Sequence, residues 1–134
     1  MGLFDLKIYE ADGVFYEGKC QSLIVPSTDG ETGILYGHVK SVSAIVPGIL
    51  KYKDADDKWF EASVSNGLVR TNGDEVLVLV DSAERPEEID ENRSRRRIEQ
   101  AKEIMLQQKS LREYKIAQGY LSRAMNRLKL KSRY

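Results

Sequence analysis

The chain of 134 residues is long enough for one ordinary domain or a small domain with an appendage, and 41% hydrophobic residues supply a modest core. One cysteine and one histidine exclude an internal disulfide, a multi-cysteine metal site and any chemistry that needs two imidazoles. The 21 basic and 21 acidic residues cancel overall, yet residues 1–86 carry a net −6 and the remainder +6. That split predicts two segments with different partners, the second drawn to something anionic; the plainer alternative is a basic tail folded back on its own acidic domain.

The opening "MGLFDLKIYE" has acids where a signal peptide has bases, and Leu6 stands where a myristoylation motif wants Ser or Thr. No apolar run approaches the roughly 18 residues of a membrane span, so the chain reads as cytoplasmic. Phe4, Leu6 and Ile8 alternate with Asp5, Lys7 and Tyr9, a period of two that predicts a half-buried strand. Further strands are expected at Val14–Tyr16, "CQSLIVP", "SVSAIV", "ILKYK", "WFEASV", "LVRT" and "EVLVLVD". Turn signals separate them at Thr28-Asp29-Gly30, Pro47-Gly48, Asn66-Gly67 and Asn72-Gly73. The stretch "GILYGHVKSVSAIVPG" sets three glycines and His38 between two apolar runs that each read as a strand. Short strands joined by tight turns, with no helical pattern among them, predict an antiparallel β-sandwich or flattened barrel over residues 1–85. Cys20 reads as a small buried hydrophobe in a strand. Asp54, Asp56 and Asp57 fall at a hairpin turn, which makes a solvated turn the favoured reading over a metal site.

From residue 86 the pattern becomes helical, and the fold class expected is α+β, with a two-helix hairpin over 86–134. Pro86 suits a first helical turn, with Glu87, Glu88, Asp90 and Glu91 placing negative charge at the positive end of the dipole. Ile98, Ala101 and Met105 form a narrow stripe. Ser110 and Glu113 have capping-box spacing and predict a second helix from about Leu111. There Tyr114, Ala117, Leu121, Ala124 and Leu128 step by three and four. A seam rich in alanine lets helices approach but buries little area, so the hairpin is expected to dock on the β domain or on another protein, and to exchange between them. A permanently docked hairpin is the alternative.

No catalytic constellation survives inspection. There is no phosphate loop of the G-x-x-x-x-G-K type and no G-x-G-x-x-G after a strand, and His38 sits on a glycine-bounded loop without an orienting acid. Neither catalytic nor metal-binding residues are assigned, and the chain reads as a non-enzyme.

The segments "DGETGILYGHVKSVSAIVPGILKY", "SNGLVRTNGDEVLVLVDSAER" and "PEEIDENR" together resemble the epsilon subunit family of bacterial F-type ATP synthases, over the whole chain and in the family's order. The resemblance implies a central-stalk rotor subunit that couples gamma to the c-ring of a proton- or sodium-translocating synthase, peripheral to the cytoplasmic face of the cell membrane. It implies a helical hairpin that either folds on the sandwich or extends along gamma to the alpha and beta subunits of the catalytic head, restraining ATP hydrolysis. By the same resemblance Asp29 and Glu31 face the c-ring and His38 lies near gamma. A solvated turn and a structural histidine are the respective alternatives. Arg93, Arg95, Arg96, Arg97, Arg112, Lys115, Arg123 and Arg127 would meet acidic surfaces of the head.

Some members of that family bind ATP on the folded hairpin through an I/L-D-x-x-R-A motif. Ile89, Asp90 and Arg93 match it, with Arg123 and Arg127 one helical turn apart on the second helix. Ser94 replaces the motif's Ala, and Gln100 stands where a further arginine is expected, so a solvated basic face remains the alternative. No cofactor is required; regulatory ATP is the ligand considered, and no motif calls for magnesium. A stand-alone nucleotide-sensing β module with a basic tail is the other functional class considered. Nucleic acid is not expected, because Glu99, Glu103 and Glu113 interrupt the basic charge and no aromatic stacking platform accompanies it.

Overall fold

The computed structural model describes residues 2–107 and 111–134, and for Ile104, Gln107 and residues 111–114 the backbone alone. Two units emerge, Met1–Glu84 and Arg85–Tyr134.

The first unit is built of strands β1 (Phe4–Glu10), β2 (Gly13–Ser27), β3 (Gly30–Leu35), β4 (His38–Ile45), β5 (Gly48–Asp54), β6 (Trp59–Val64), β7 (Gly67–Gly73), β8 (Glu75–Val80) and β9 (Ala83–Glu84). They pair in the order β4-β7-β8-β1-β2-β5-β6-β9, with β3 also on β2. Phe4, Leu6 and Ile8 are fully buried, as their alternation requires. They meet Val76 and Val78 of β8, Leu50 and Tyr52 of β5 and Ala62 and Val64 of β6 in one cluster, so the sheet closes over itself as a sandwich. The β1–β8 pair is parallel, a long-range join that no turn signal announces.

The two short strands expected at 14–16 and 20–26 are one strand of 15 residues. Phe15 is an extra residue between the pairs Ile8–Tyr16 and Tyr9–Val14, and a second irregularity against β5 falls between Cys20 and Ser22. Each shift changes which parity points inward, so Phe15, Cys20, Leu23 and Val25 are all buried. Bent in this way, β2 pairs with β1 through its first half and with β3 and β5 through its second. Cys20 is buried, and its thiol donates to the Tyr16 hydroxyl at 3.7 Å.

Of the four turn signals, Thr28-Asp29-Gly30 and Asn72-Gly73 close the hairpins β2–β3 and β7–β8, with Gly30 and Gly73 at positive φ. Pro47-Gly48 and Asn66-Gly67 instead join strands that do not pair: β4 lies on β7, while β5 and β6 pair with each other. Glycine at 67 answers to packing. A Cβ there would overlap the Leu79 carbonyl oxygen and stand 2.8 Å from the Val80 Cα. In the β5–β6 turn the Asp54 carboxylate accepts the N–H groups of Asp56 and Lys58 at 2.9 and 3.0 Å, and Asp57 accepts from Gln21 at 2.8 Å and pairs with Lys53.

The second unit holds a 3-10 turn (Pro86–Glu88), α1 (Glu91–Gln107) and α2 (Leu111–Lys131). Pro86 opens that short turn and not the long helix, because Ile89 is extended (φ −82°, ψ 125°) and interrupts the helical path. Asp90 then caps α1: its carboxylate accepts the Arg93 N–H at 3.0 Å, and its carbonyl takes the Ser94 N–H, the first helical bond. Thus Glu91 is the acid in the first turn of α1, and Glu87 and Glu88 precede it.

The helices pack through small residues. Ala101, Ala117 and Ala124 are buried, and Ser94, seven positions before Ala101, joins the seam at 4% exposure. The Lys131 ammonium donates to the Pro86 carbonyl at 3.2 Å, which brings the end of α2 to the start of α1 and makes the hairpin antiparallel. Ser110 and the side chains of Glu113, Arg112 and Tyr114, named for the capping box, the basic face and the seam, lie outside the described residues.

Candidate functional site

Strand register assembles an outward face from residues far apart in the chain. Across β1, β8, β7 and β4 one row reads Lys7, Leu77, Arg70, Val42; the next reads Tyr9, Leu79, Leu68, Ala44. On the other side stand Asp5, Glu75 and Asn72. Val42 is 66% exposed and Leu79 is also exposed, so the face offers apolar surface beside Lys7 and Arg70. A groove of about 810 Å3 opens on it, lined by Lys7, Lys40, Val42, Arg70, Glu75 and Leu77 among others. A contiguous apolar patch with a charged rim can dock a protein.

His38 borders this face at a bulge. Between His38 and Ser41 β4 has one residue more than β7, which turns Val39 outward to 74% exposure. The buried Thr71 hydroxyl donates to the Val39 carbonyl at 2.6 Å and lies 2.9 Å from the Ser41 hydroxyl. The imidazole Nδ1 is 3.0 Å from the same carbonyl and 3.3 Å from the Thr71 hydroxyl. His38 is therefore half-buried and hydrogen-bonded to the bulge it helps to shape. Asp29 and Glu31 lie exposed at the β2–β3 turn, where Glu31 faces Lys51 of β5 at 3.9 Å. Glu31 is paired with β5 and His38 with β7, so the turn that carries Asp29 and Glu31 and the bulge at His38 are two places and not one.

In the second unit, Ile89 is buried and Asp90 binds the backbone as a cap, while the Arg93 side chain is exposed. The antiparallel arrangement sets the end of α2 beside these residues, which brings Arg127 to the same end of the hairpin and Arg123 one turn further along. Arg123 is half-buried, its guanidinium 5.1 Å from the centre of the Tyr120 ring. Tyr120 escaped the sequence reading, although its i,i+3 spacing to Arg123 was available. Ser94, which stands where the motif has Ala, is buried in the seam one heptad before Ala101.

Residues 3–86 match the ATP synthase Delta/Epsilon chain beta-sandwich domain, and residues 87–132 the Delta/Epsilon chain long alpha-helix domain. The ATP synthase epsilon chain of Ruminiclostridium cellulolyticum is 38% identical over 99% of this chain and 98% of that protein. The chain belongs to the epsilon subunit family of F-type ATP synthases. A second relative within this epsilon family, from Caldanaerobacter subterraneus subsp. tengcongensis, is 39% identical over 98% of this chain and 95% of its own length. The fold is shared with a chain of the Euglena gracilis mitochondrial ATP synthase assembly of OSCP, F1 and c-ring, at a TM-score of 0.83 and 21% identity, covering 94% of this chain and 79% of that one. As an epsilon family member the chain is a non-catalytic stalk subunit. No helix among the described residues is long and apolar enough to cross a membrane.

Proposed function

We propose that this chain couples gamma to the c-ring in the rotor, at the cytoplasmic face of the membrane, and brakes ATP hydrolysis with its helical unit. The observation that carries the reading is the outward face of β1, β8, β7 and β4. There Leu77 lies between Lys7 and Arg70, Val42 beyond Arg70 and Leu79 in the next row, and the bulge at His38 thrusts Val39 outward. That face takes gamma. The exposed carboxylates of Asp29 and Glu31, in a separate place, meet basic loops of the c-ring. The exposed cations Arg93, Arg95, Arg96 and Lys115, together with Arg123 and Arg127, suit acidic surfaces of the alpha and beta subunits when the hairpin extends along gamma.

ATP acts as a regulatory ligand of the closed hairpin, through Arg93, Arg123 and Arg127, with Asp90 and Ile89 shaping the start of α1. The antiparallel closure supports this reading, because it gathers cations from both helices toward one end.

Two measurements test the proposal. Gamma should copurify with the intact chain in stoichiometric amount and be lost with Val42→Asp. Truncation after Arg85 should leave gamma bound and raise ATP hydrolysis by the parent complex. An unchanged hydrolysis rate after truncation removes the braking role, and a free monomer that ignores gamma removes the coupling role.

A further inference from the structure

On α2, Ile116, Tyr120, Arg123 and Arg127 follow steps of four, three and four, which places them along one face. Tyr120 and Ile116 are exposed, yet Arg123 is only partly exposed. The reason is local. The guanidinium lies 5.1 Å from the Tyr120 ring centre, and a Cβ built on Gly119 would be 3.5 Å from its Nη1. The long side chain thus runs back along the helix toward Tyr120 and Gly119. An arginine held in this way has given up part of its rotamer freedom before any ligand arrives.

We propose that Tyr120 is a positioning residue for Arg123, its ring holding the guanidinium along the α2 surface so that a nucleoside triphosphate meets it already placed. The inference rests on the reading of the hairpin as a nucleotide site and adds to it a residue outside the sequence motif. Tyr120 need not touch the phosphates; it acts through Arg123. The contact is sequence-local, so it survives when the hairpin changes its partners.

The test is calorimetric titration of the full chain with ATP, for the native chain and for Tyr120→Phe, Tyr120→Leu, Arg123→Gln and the double variant Tyr120→Leu/Arg123→Gln. Circular dichroism checks that helix content is unchanged. An exposed cation–π contact accounts for a two- to five-fold effect. Tyr120→Leu should therefore weaken ATP by about two- to five-fold, and Tyr120→Phe, which keeps the ring, should bind as the native chain does. In the Arg123→Gln background the Tyr120→Leu change should have no further effect, because its only route to the ligand is gone. Tyr120→Leu binding unchanged or tighter, or an equal loss with and without Arg123, overturns the inference while leaving the nucleotide site standing. Absence of ATP binding by the native chain defeats the nucleotide reading itself and the inference with it.

Discussion

Replacing Asp90 separates two roles that a single alanine variant would confuse. Its carboxylate accepts the Arg93 N–H at 3.0 Å and its carbonyl accepts the Ser94 N–H at 3.0 Å, so the residue starts α1 before any ligand is considered. Loss of an N-cap costs about 1 kcal/mol, within a range of roughly 0.5–2. Asp90 is exposed, which keeps the charge–dipole part near the low end, about 0.3 kcal/mol. At about 1.4 kcal/mol per factor of ten, Asp90→Ala should open the first turn of α1 about five-fold more often. Asp90→Asn, which keeps the acceptor oxygen, should stay within about two-fold of the native chain, because Asn caps as well as Asp. Amide hydrogen exchange at Arg93 and Ser94 reads this directly. ATP titration of the same variants then separates capping from ligand contact: affinity retained in Asp90→Asn and reduced in Asp90→Ala assigns Asp90 to helix nucleation. Equal fraying in both variants would refute the capping argument, since the charge and not the acceptor would then be responsible.

Gly67→Ala should destabilise the sandwich by at least about 1–3 kcal/mol, the usual cost of overpacking, because the obstructing atoms are the Leu79 carbonyl and Val80 backbone and not a side chain that can swing away; thermal unfolding measures it. Val42→Asp should leave the melting temperature nearly unchanged, since the side chain is exposed, while abolishing capture of gamma. Burial pushes the Cys20 thiol from 9.0 up to about 11. A group held protonated in the folded state stabilises it below the unfolded pKa, and that contribution is lost as pH rises from 9.0 toward about 11. Cys20→Ala should therefore flatten the alkaline limb of the stability curve, and a thiol reagent at pH 8 should label the native chain only after unfolding.

The amino-acid sequence settles whatever depends on neighbours in the chain. Alternation at Phe4, Leu6 and Ile8 names the buried face of β1, and the steps through Ala117, Leu121 and Ala124 name the seam of α2, because side-chain direction follows the local period. The change of period near Pro86 likewise separates the β and helical segments. Distant pairing was silent. "EVLVLVD" is nearly continuous in its apolar content and does not say which of Leu77 and Val78 faces water; only its place between β1 and β7 decides that Val78 is buried and Leu77 lies outward beside Arg70 and Lys7. Bulges at Phe15 and at His38–Ser41 reverse the parity that alternation assumes, and each is visible only against a partner strand. Glycine at 67 carries the signature of a tight turn yet is required by the approach of another backbone. The composition and local periods of this chain thus determined which part is β and which is helical, and, where the period is unbroken as at Phe4–Ile8 and Ala117–Ala124, which face is buried. The outward face of β1, β8, β7 and β4 was decided by the tertiary structure alone, because a row across four strands is a property of register, and register is a relation between residues that no single stretch of chain contains.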